Sequence, residues 1–185
     1  MEIENPVTGE RIVFRKRAKD TNGELLQFDL IIKPHALVQV EHIHARQEER
    51  VEVVSGAVRY RLAGREQTLS ANQATALPPG VPHTLWNDRD DEAHVLVEVR
   101  PALRTETAIE TLFGLARDGK TNKRGFPNIL QMSLLAREYE TFLARPPIAV
   151  QKAVLAVLAP IAKGLGYRTR YAQYSGENDP HPPTL

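Results

Sequence analysis

His42-Ile43-His44-Ala45-Arg46-Gln47-Glu48-Glu49-Arg50-Val51-Glu52-Val53-Val54-Ser55-Gly56 reads as two extended runs joined by a short polar link. In extended chain, residues two apart share a face, so His42 and His44 point into the same space. In the second run Glu49 is in phase with the apolar Val51 and Val53, whereas Glu48 is in phase with Arg50 and Glu52. The register therefore turns Glu49 inward and Glu48 outward. A bulge near the link would exchange them, because a one-residue slip moves every side chain to the other face.

The same period-two alternation, rich in β-branched residues, extends on both sides of this stretch. It covers Arg11 to Phe14, Leu25 to Lys33, Leu37 to Ile43, Ala57 to Leu62 and Ala93 to Val99. Turn signals separate these runs: Thr21-Asn22-Gly23, Ser55-Gly56, Ala63-Gly64, Pro78-Pro79-Gly80 and Asn87 to Asp91. Many short strands at close spacing predict an all-β sandwich or barrel. No segment of helical length intervenes, which argues against β-α-β units.

His83 follows the rigid turn Pro78-Pro79-Gly80-Val81-Pro82 and opens another extended run. One histidine alone reads as a polar strand residue, facing solvent or hydrogen bonded in the core. Three imidazoles with one inward carboxylate read instead as a metal site, with His42, His44, Glu49 and His83 as ligands. The chain has no cysteine, so thiolate ligation is excluded, as are disulfides. The donor set suits one divalent transition metal (Fe, Mn, Zn, Ni, Co or Cu) without choosing among them. His35 and His94 read as structural or exposed, and His181 lies in the tail.

These residues also carry a resemblance. His42, His44, Glu49 and Gly56, with one, four and six residues between them, are similar to the first signature motif of the cupins. Pro78, Gly80, His83 and Asn87, with one, two and three residues between them, are similar to the second. The glycine that usually opens each motif is Ala36 in the first and Asn72 in the second, both turn positions. The resemblance spans roughly residues 25–100. It implies a double-stranded β-helix, the jelly-roll barrel of six to eight strands in two sheets, with the metal inside it and often a homodimer. It further suggests single-cupin proteins with a C-terminal α-helical extension.

Beyond Pro101 the pattern becomes helical. Thr107 and Glu110 fit a capping box opening a helix through Ile109, Leu112, Phe113 and Ala116, weakened by Gly114 and ended at Asp118-Gly119. Pro127 suits the first turn of a second helix with Ile129, Met132, Leu135 and Tyr139 on one side, broken at Pro146-Pro147. A third helix runs from Ile148 to about Gly164, with Pro160 expected to kink or end it. It is apolar nearly all round, so burial is expected, against the barrel, a partner copy or a membrane surface in that order. The expected organisation is a barrel over residues 1–101, the helical extension over 102–170 and a loop-like tail over 171–185.

Among the remaining polar and aromatic residues, Tyr60 and Trp86 could line the barrel mouth, although the phase of Trp86 places it outside, under a helix or a partner. Arg59 and Arg61 read as an exposed strand face, and Lys120, Lys123 and Arg124 as a solvated basic loop. Residues 1–100 carry a net charge of −3 and residues 101–170 a net charge of +6. With no helix-turn-helix signature and no basic stripe, nucleic acid binding is not expected. The opening residues are polar and acidic, unlike a signal peptide. The most apolar stretch, Ala153 to Ala162, is ten residues, against roughly 20 for a membrane-spanning helix. A cytoplasmic chain without a transmembrane segment is expected.

Two functional classes follow. The first is a metal-dependent enzyme acting on a small organic molecule, of the dioxygenase, isomerase or decarboxylase type that the resemblance implies. The second is a non-catalytic module binding a sugar or another small molecule. The first requires an open coordination position beside the metal.

Overall fold

The computed structural model describes residues 1–38 and 40–176. The tail from 177, with His181, lies outside them. Eleven strands and four α-helices are present among the described residues. The strands are β1 (Glu2–Glu4), β2 (Arg11–Lys16), β3 (Leu26–Ile32), β4 (His42–His44), β5 (Glu48–Ser55), β6 (Ala57–Leu62), β7 (Arg65–Ser70), β8 (Ala74–Leu77), β9 (His83–Trp86) and β10 (Ala93–Arg100). Then come α1 (Thr105–Arg117), α2 (Ile129–Tyr139), β11 (Thr141–Leu143), α3 (Ile148–Gly164) and the short α4 (Ala172–Ser175).

The strands form two antiparallel sheets. One has the order β1-β2-β3-β10-β5-β8 and the other β11-β4-β9-β6-β7. Inward residues of the alternating runs meet between them: Phe28, Leu30, Val51, Val53, Val58, Leu77, Leu85, Val95, Val97 and Val99 are all buried. This is a jelly-roll barrel with a C-terminal helical extension. Burying a side chain of this size contributes roughly 1.5–3 kcal/mol, so a strand that buries several of them has its register fixed by that face. No helix of the described residues is long and apolar enough to cross a membrane.

Several sequence expectations are corrected by tertiary context. The run from Leu37 to Ile43 is not one strand: Leu37 makes an isolated bridge to Trp86, and the regular strand is only His42–His44. Thr107 does not cap α1. The helix starts two residues earlier, with Arg104 at the N-cap position, and Thr107 and Glu110 are buried within it. Glu110 accepts a hydrogen bond from Arg17 instead. Pro127 is not in the first turn of α2 but just before it: Asn128 is the N-cap, its side chain accepting from the backbone N–H of Gln131.

The second helix stops at Tyr139 because Glu140 turns left-handed at φ 51°. The chain that follows adds β11 to the barrel. Pro160 sits inside α3 without ending it. That helix is not buried all round. Leu155, Ala159 and Ala162 pack inward, Ala159 and Ala162 against Leu134 of α2, but Val150, Val154, Val157 and Ile161 remain 49–65% exposed. Gly114 has a packing reason: a Cβ there would lie 2.2 Å from Cγ of Tyr174, so its absence lets α4 lie against α1.

Candidate metal centre

The three histidines come from adjacent strands of one sheet and the carboxylate from the facing sheet. His42 on β4 stands directly opposite His83 on β9, which brings their rings to 4.5 Å between centroids. His44 is two residues along β4, on the same face. The turn before β9 is tied to this strand by the N–H of Gly80, which donates to the His44 carbonyl over 2.8 Å. Gly80 holds φ 76°, a conformation that glycine adopts without a Cβ penalty.

Glu49 enters from β5, between Val99 and Leu77 of the flanking strands. Glu48 is exposed. The register of β5 does shift, but between His94 and Val95 of β10, at the far end of the strand. Phase is therefore kept from Glu49 to Val53.

The donor atoms of His42, His44, Glu49 and His83 all lie within 4.8 Å of one another. His42 Nε2 is 3.1 Å from His44 Nε2, Glu49 Oε2 is 3.5 Å from His44 Nε2, and Glu49 Oε2 is 3.9 Å from His83 Nε2. Donors bonded to one ion at about 2.1 Å sit about 3.0 Å apart when cis and about 4.2 Å apart when trans. The three separations fall inside that range.

Hydrogen bonding explains why the Nε2 atoms face inward. His42 Nδ1 lies 2.9 Å from the Val40 carbonyl, and His83 Nδ1 lies 2.9 Å from the Val81 carbonyl. A carbonyl only accepts, so in both rings the proton is on Nδ1 and the neutral ring leaves a lone pair on Nε2. His83 Nε2 is buried and has no hydrogen-bond partner in the protein. A buried acceptor without a partner costs about 1–3 kcal/mol, and a cation at the centre of the cluster would satisfy it. The residues present therefore fit a divalent metal.

The electrostatics agree. Burial, reinforced by the neighbouring His44 and His83, pushes His42 down to about 3, so it is neutral and ligand-ready across the physiological range. Burial also lowers His83, against an opposing pull from Glu49. Burial would raise Glu49, but the hydrogen bond from His44 and the three imidazoles outweigh it and hold the carboxyl well below its usual range.

Residues that the sequence reading set apart from the site are apart from it. His35 pairs with Asp90, and His94 with Asp29. Tyr60 is buried and donates to Gln67. Trp86 lies outside the barrel as its phase indicated, but it is covered by the guanidinium groups of Arg59 and Arg61, 5.3 and 5.8 Å from the ring, rather than by a helix. Asn87, the last motif position, holds a turn: its Nδ2 donates to the carbonyls of Ile32, Lys33 and Asp91. Asn72, which replaces a motif glycine, is left-handed at φ 66°, a region that asparagine tolerates.

Two supporting residues were not found from sequence. Gln47, only 3% exposed, donates to the carbonyls of Pro101 and Ala102 and to Thr105 Oγ1, tying the β4–β5 link to the start of α1. Thr141 on β11 approaches His44 Nδ1. A buried glutamine in the link was a visible signal; the threonine, almost a hundred residues away, gave none.

The family model described as "Cupin domain" matches residues 28–99, the span that contains all four donors. Residues 28–99 of the chain form a cupin domain. Among solved structures, the chain is similar to a predicted oxalate decarboxylase from Thermotoga maritima, with a TM-score of 0.50 and 14% identity, covering 55% of this chain and 90% of that one. It is also similar to a sugar phosphate isomerase of the cupin superfamily from Silicibacter pomeroyi, at TM-score 0.45 and 22% identity, covering 52% of this chain and 62% of that one. A third is a putative sugar phosphate isomerase from Acidithiobacillus ferrooxidans, at TM-score 0.43 and 18% identity, covering 51% and 61%. The match thus spans under two thirds of the length of both isomerases. No curated protein sequence matches the chain.

Proposed function

We propose that this cupin holds one divalent transition metal on His42, His44, Glu49 and His83 and is a metal-dependent enzyme acting on a small organic molecule. The observation that carries the reading is the inward convergence of Nε2 lone pairs around one ionised carboxylate, with His83 Nε2 left unpartnered. When bound, the metal supplies Lewis-acid polarisation of a substrate oxygen, and Fe would add oxygen chemistry. The protein's part is orientation and exclusion of water. The Val40 and Val81 carbonyls hold two of the rings. Glu49 contributes one negative charge, and the apolar interior formed by Val51, Val97, Leu77 and Leu85 keeps the local dielectric low.

Four protein donors leave two positions free on a six-coordinate ion. The Glu49 side chain keeps 19% exposure against 2% for that of His83, so the set opens towards solvent past the carboxylate. An accessible position supports catalysis over a closed structural site. The second reading, a non-catalytic binding module, is favoured by one observation: the barrel interior behind the donors is apolar, and among the described residues no further His, Asp or Glu joins the cluster.

Cobalt(II) substitution tests the enzyme reading. Addition of oxalate, a bidentate oxygen donor, is expected to shift the visible spectrum of the cobalt form. An unchanged spectrum at saturating oxalate contradicts an open position and leaves no room for catalysis at the metal. Homodimer formation belongs to the same proposal and is supported by the uncovered row Val150, Val154, Val157 and Ile161. Light scattering should give twice the chain mass for the parent and the single-chain mass for Val157→Glu.

A further inference from the structure

The helical extension does more than pack beside the barrel. Its strand β11 pairs with β4, the strand that carries two of the three histidines, in the register Thr141↔His44, Phe142↔Ile43 and Leu143↔His42. The ladder continues past both ends, through Ala45 N–H to the Glu140 carbonyl and Ala144 N–H to the Glu41 carbonyl. Phe142, 3% exposed, anchors the strand.

Within this pairing the three rings differ in one respect. His42 and His83 each set Nδ1 against a carbonyl two residues earlier in their own strand region. The Nδ1 of His44 instead meets a side chain of the extension, Thr141 Oγ1, at 3.3 Å. Thr141 Oγ1 also lies 3.3 Å from the Tyr139 carbonyl, to which only the hydroxyl can donate. A threonine hydroxyl has one proton. With that proton directed to Tyr139, the oxygen can accept from His44 when the ring carries its proton on Nδ1, the form that leaves the Nε2 lone pair free for a metal. Tyr139 is itself fixed, its hydroxyl donating to the Thr169 carbonyl over 2.8 Å. A chain of contacts thus runs from the end of the extension, through α2 and Thr141, to one donor atom of the cluster.

We propose that Thr141 is a positioning residue for His44, accepting from Nδ1–H and so presenting Nε2 to the metal centre, which makes the helical extension part of the site. The inference rests on the metal-site reading: without a metal, His44 Nε2 donates to the His42 Nε2 lone pair over 3.1 Å, so Thr141 becomes the acceptor for Nδ1–H once Nε2 is ligated. Hydrogen bonds from the outer nitrogen of a ligating histidine fix its tautomer and orientation, and their loss weakens metal binding by about ten- to a hundredfold.

The test compares the full-length parent, Thr141→Val, which keeps shape and strand preference, and Thr141→Ser, which keeps the hydroxyl. In the zinc-loaded protein, nitrogen-15 NMR should find the Nδ1–H of His44 protected from exchange in the parent and in Thr141→Ser, and exchanging faster in Thr141→Val. Zinc titration should give about a tenfold or larger rise in Kd for Thr141→Val, with Thr141→Ser near the parent. Thermal unfolding of the three metal-free proteins reads the merely structural contribution, which Thr141→Val should leave small.

The proposal is overturned if Thr141→Val leaves both the protection of His44 Nδ1–H and the zinc affinity unchanged, or if Thr141→Ser fails to restore them. A parent that binds no zinc overturns the metal-site reading, whereas a zinc-binding parent whose affinity Thr141→Val leaves unchanged overturns the role of Thr141 alone.

Discussion

Glu10 is a carboxyl buried where the N-terminal turn meets the basic loop of the extension. It is 6% exposed, and its Oε1 has no hydrogen-bond partner. The loop packs closely here: a Cβ at Gly125 would lie 3.0 Å from Thr8 Cγ2. Burial pushes the carboxyl from 4.5 up to about 8, against a smaller pull from Thr8. A carboxyl whose folded pKa is raised favours the folded state in its protonated form. Between pH 4.5 and 8 the folded chain keeps that proton while the unfolded chain releases it, so stability falls as pH rises, by about 1.4 kcal/mol per unit at most.

From pH 4.5 to 7 this amounts to about 3 kcal/mol, a large share of the 5–15 kcal/mol typical of a folded domain. His42 and His83, both lowered on folding, contribute the opposite slope, because the unfolded chain binds their protons first. The comparison must therefore be a difference. Glu10→Gln keeps the shape and removes the titration. Urea unfolding followed by circular dichroism at pH 4.5, 6 and 7 should show the variant gaining on the parent by about 3 kcal/mol across the series. A difference between the two proteins that stays flat with pH refutes the reasoning, and would mean that Glu10 is ionised and solvated in the folded chain.

Gln47→Leu keeps the bulk but removes the donor shared by Pro101, Ala102 and Thr105. It should cost about 1–3 kcal/mol in urea unfolding, and a change below about 0.5 kcal/mol contradicts the assigned role. Gly114→Ala sets a helix-propensity gain of about 1 kcal/mol against a Cβ overlapping the Tyr174 ring. Because α4 is short and terminal, it should yield: global stability should change little, while proteolysis near residues 172–176 accelerates. Unchanged protection of that segment contradicts the packing argument. Glu49→Gln removes the carboxylate charge from the donor set and should weaken zinc binding at least tenfold by competition titration, whereas Glu48→Gln, on the exposed face, should not.

The barrel and the convergence of its four candidate donors were legible because burial imposes a period. Val51 and Val53 are fully buried and set the phase that turns Glu49 inward. The paired motif spacings supplied the rest. Where burial imposes little, the sequence was silent. In β7 only Leu69 is buried, so no alternation marks this edge strand. β11 is three residues long and owes its conformation to pairing with β4, and the chain reaches it through a left-handed Glu140 that no glycine announced. The capping box at Thr107 failed because the chain already turns into the helix at Arg104, which makes an interior position of a good capping residue. The third helix was expected to be buried from its apolar composition, but α2 covers only one side of it. Thr141 could not be found from sequence at all, since its link to His44 spans 97 residues.

Metal content tests the central claim most directly. Inductively coupled plasma mass spectrometry on protein purified without an affinity tag, beside the His42→Ala/His83→Ala variant, should find close to one equivalent of a divalent transition metal in the parent and almost none in the variant. A parent that contains no such metal and takes up none on incubation, while folded by circular dichroism, contradicts the account: the converging histidines would then be a polar core cluster and the barrel would have no metal centre.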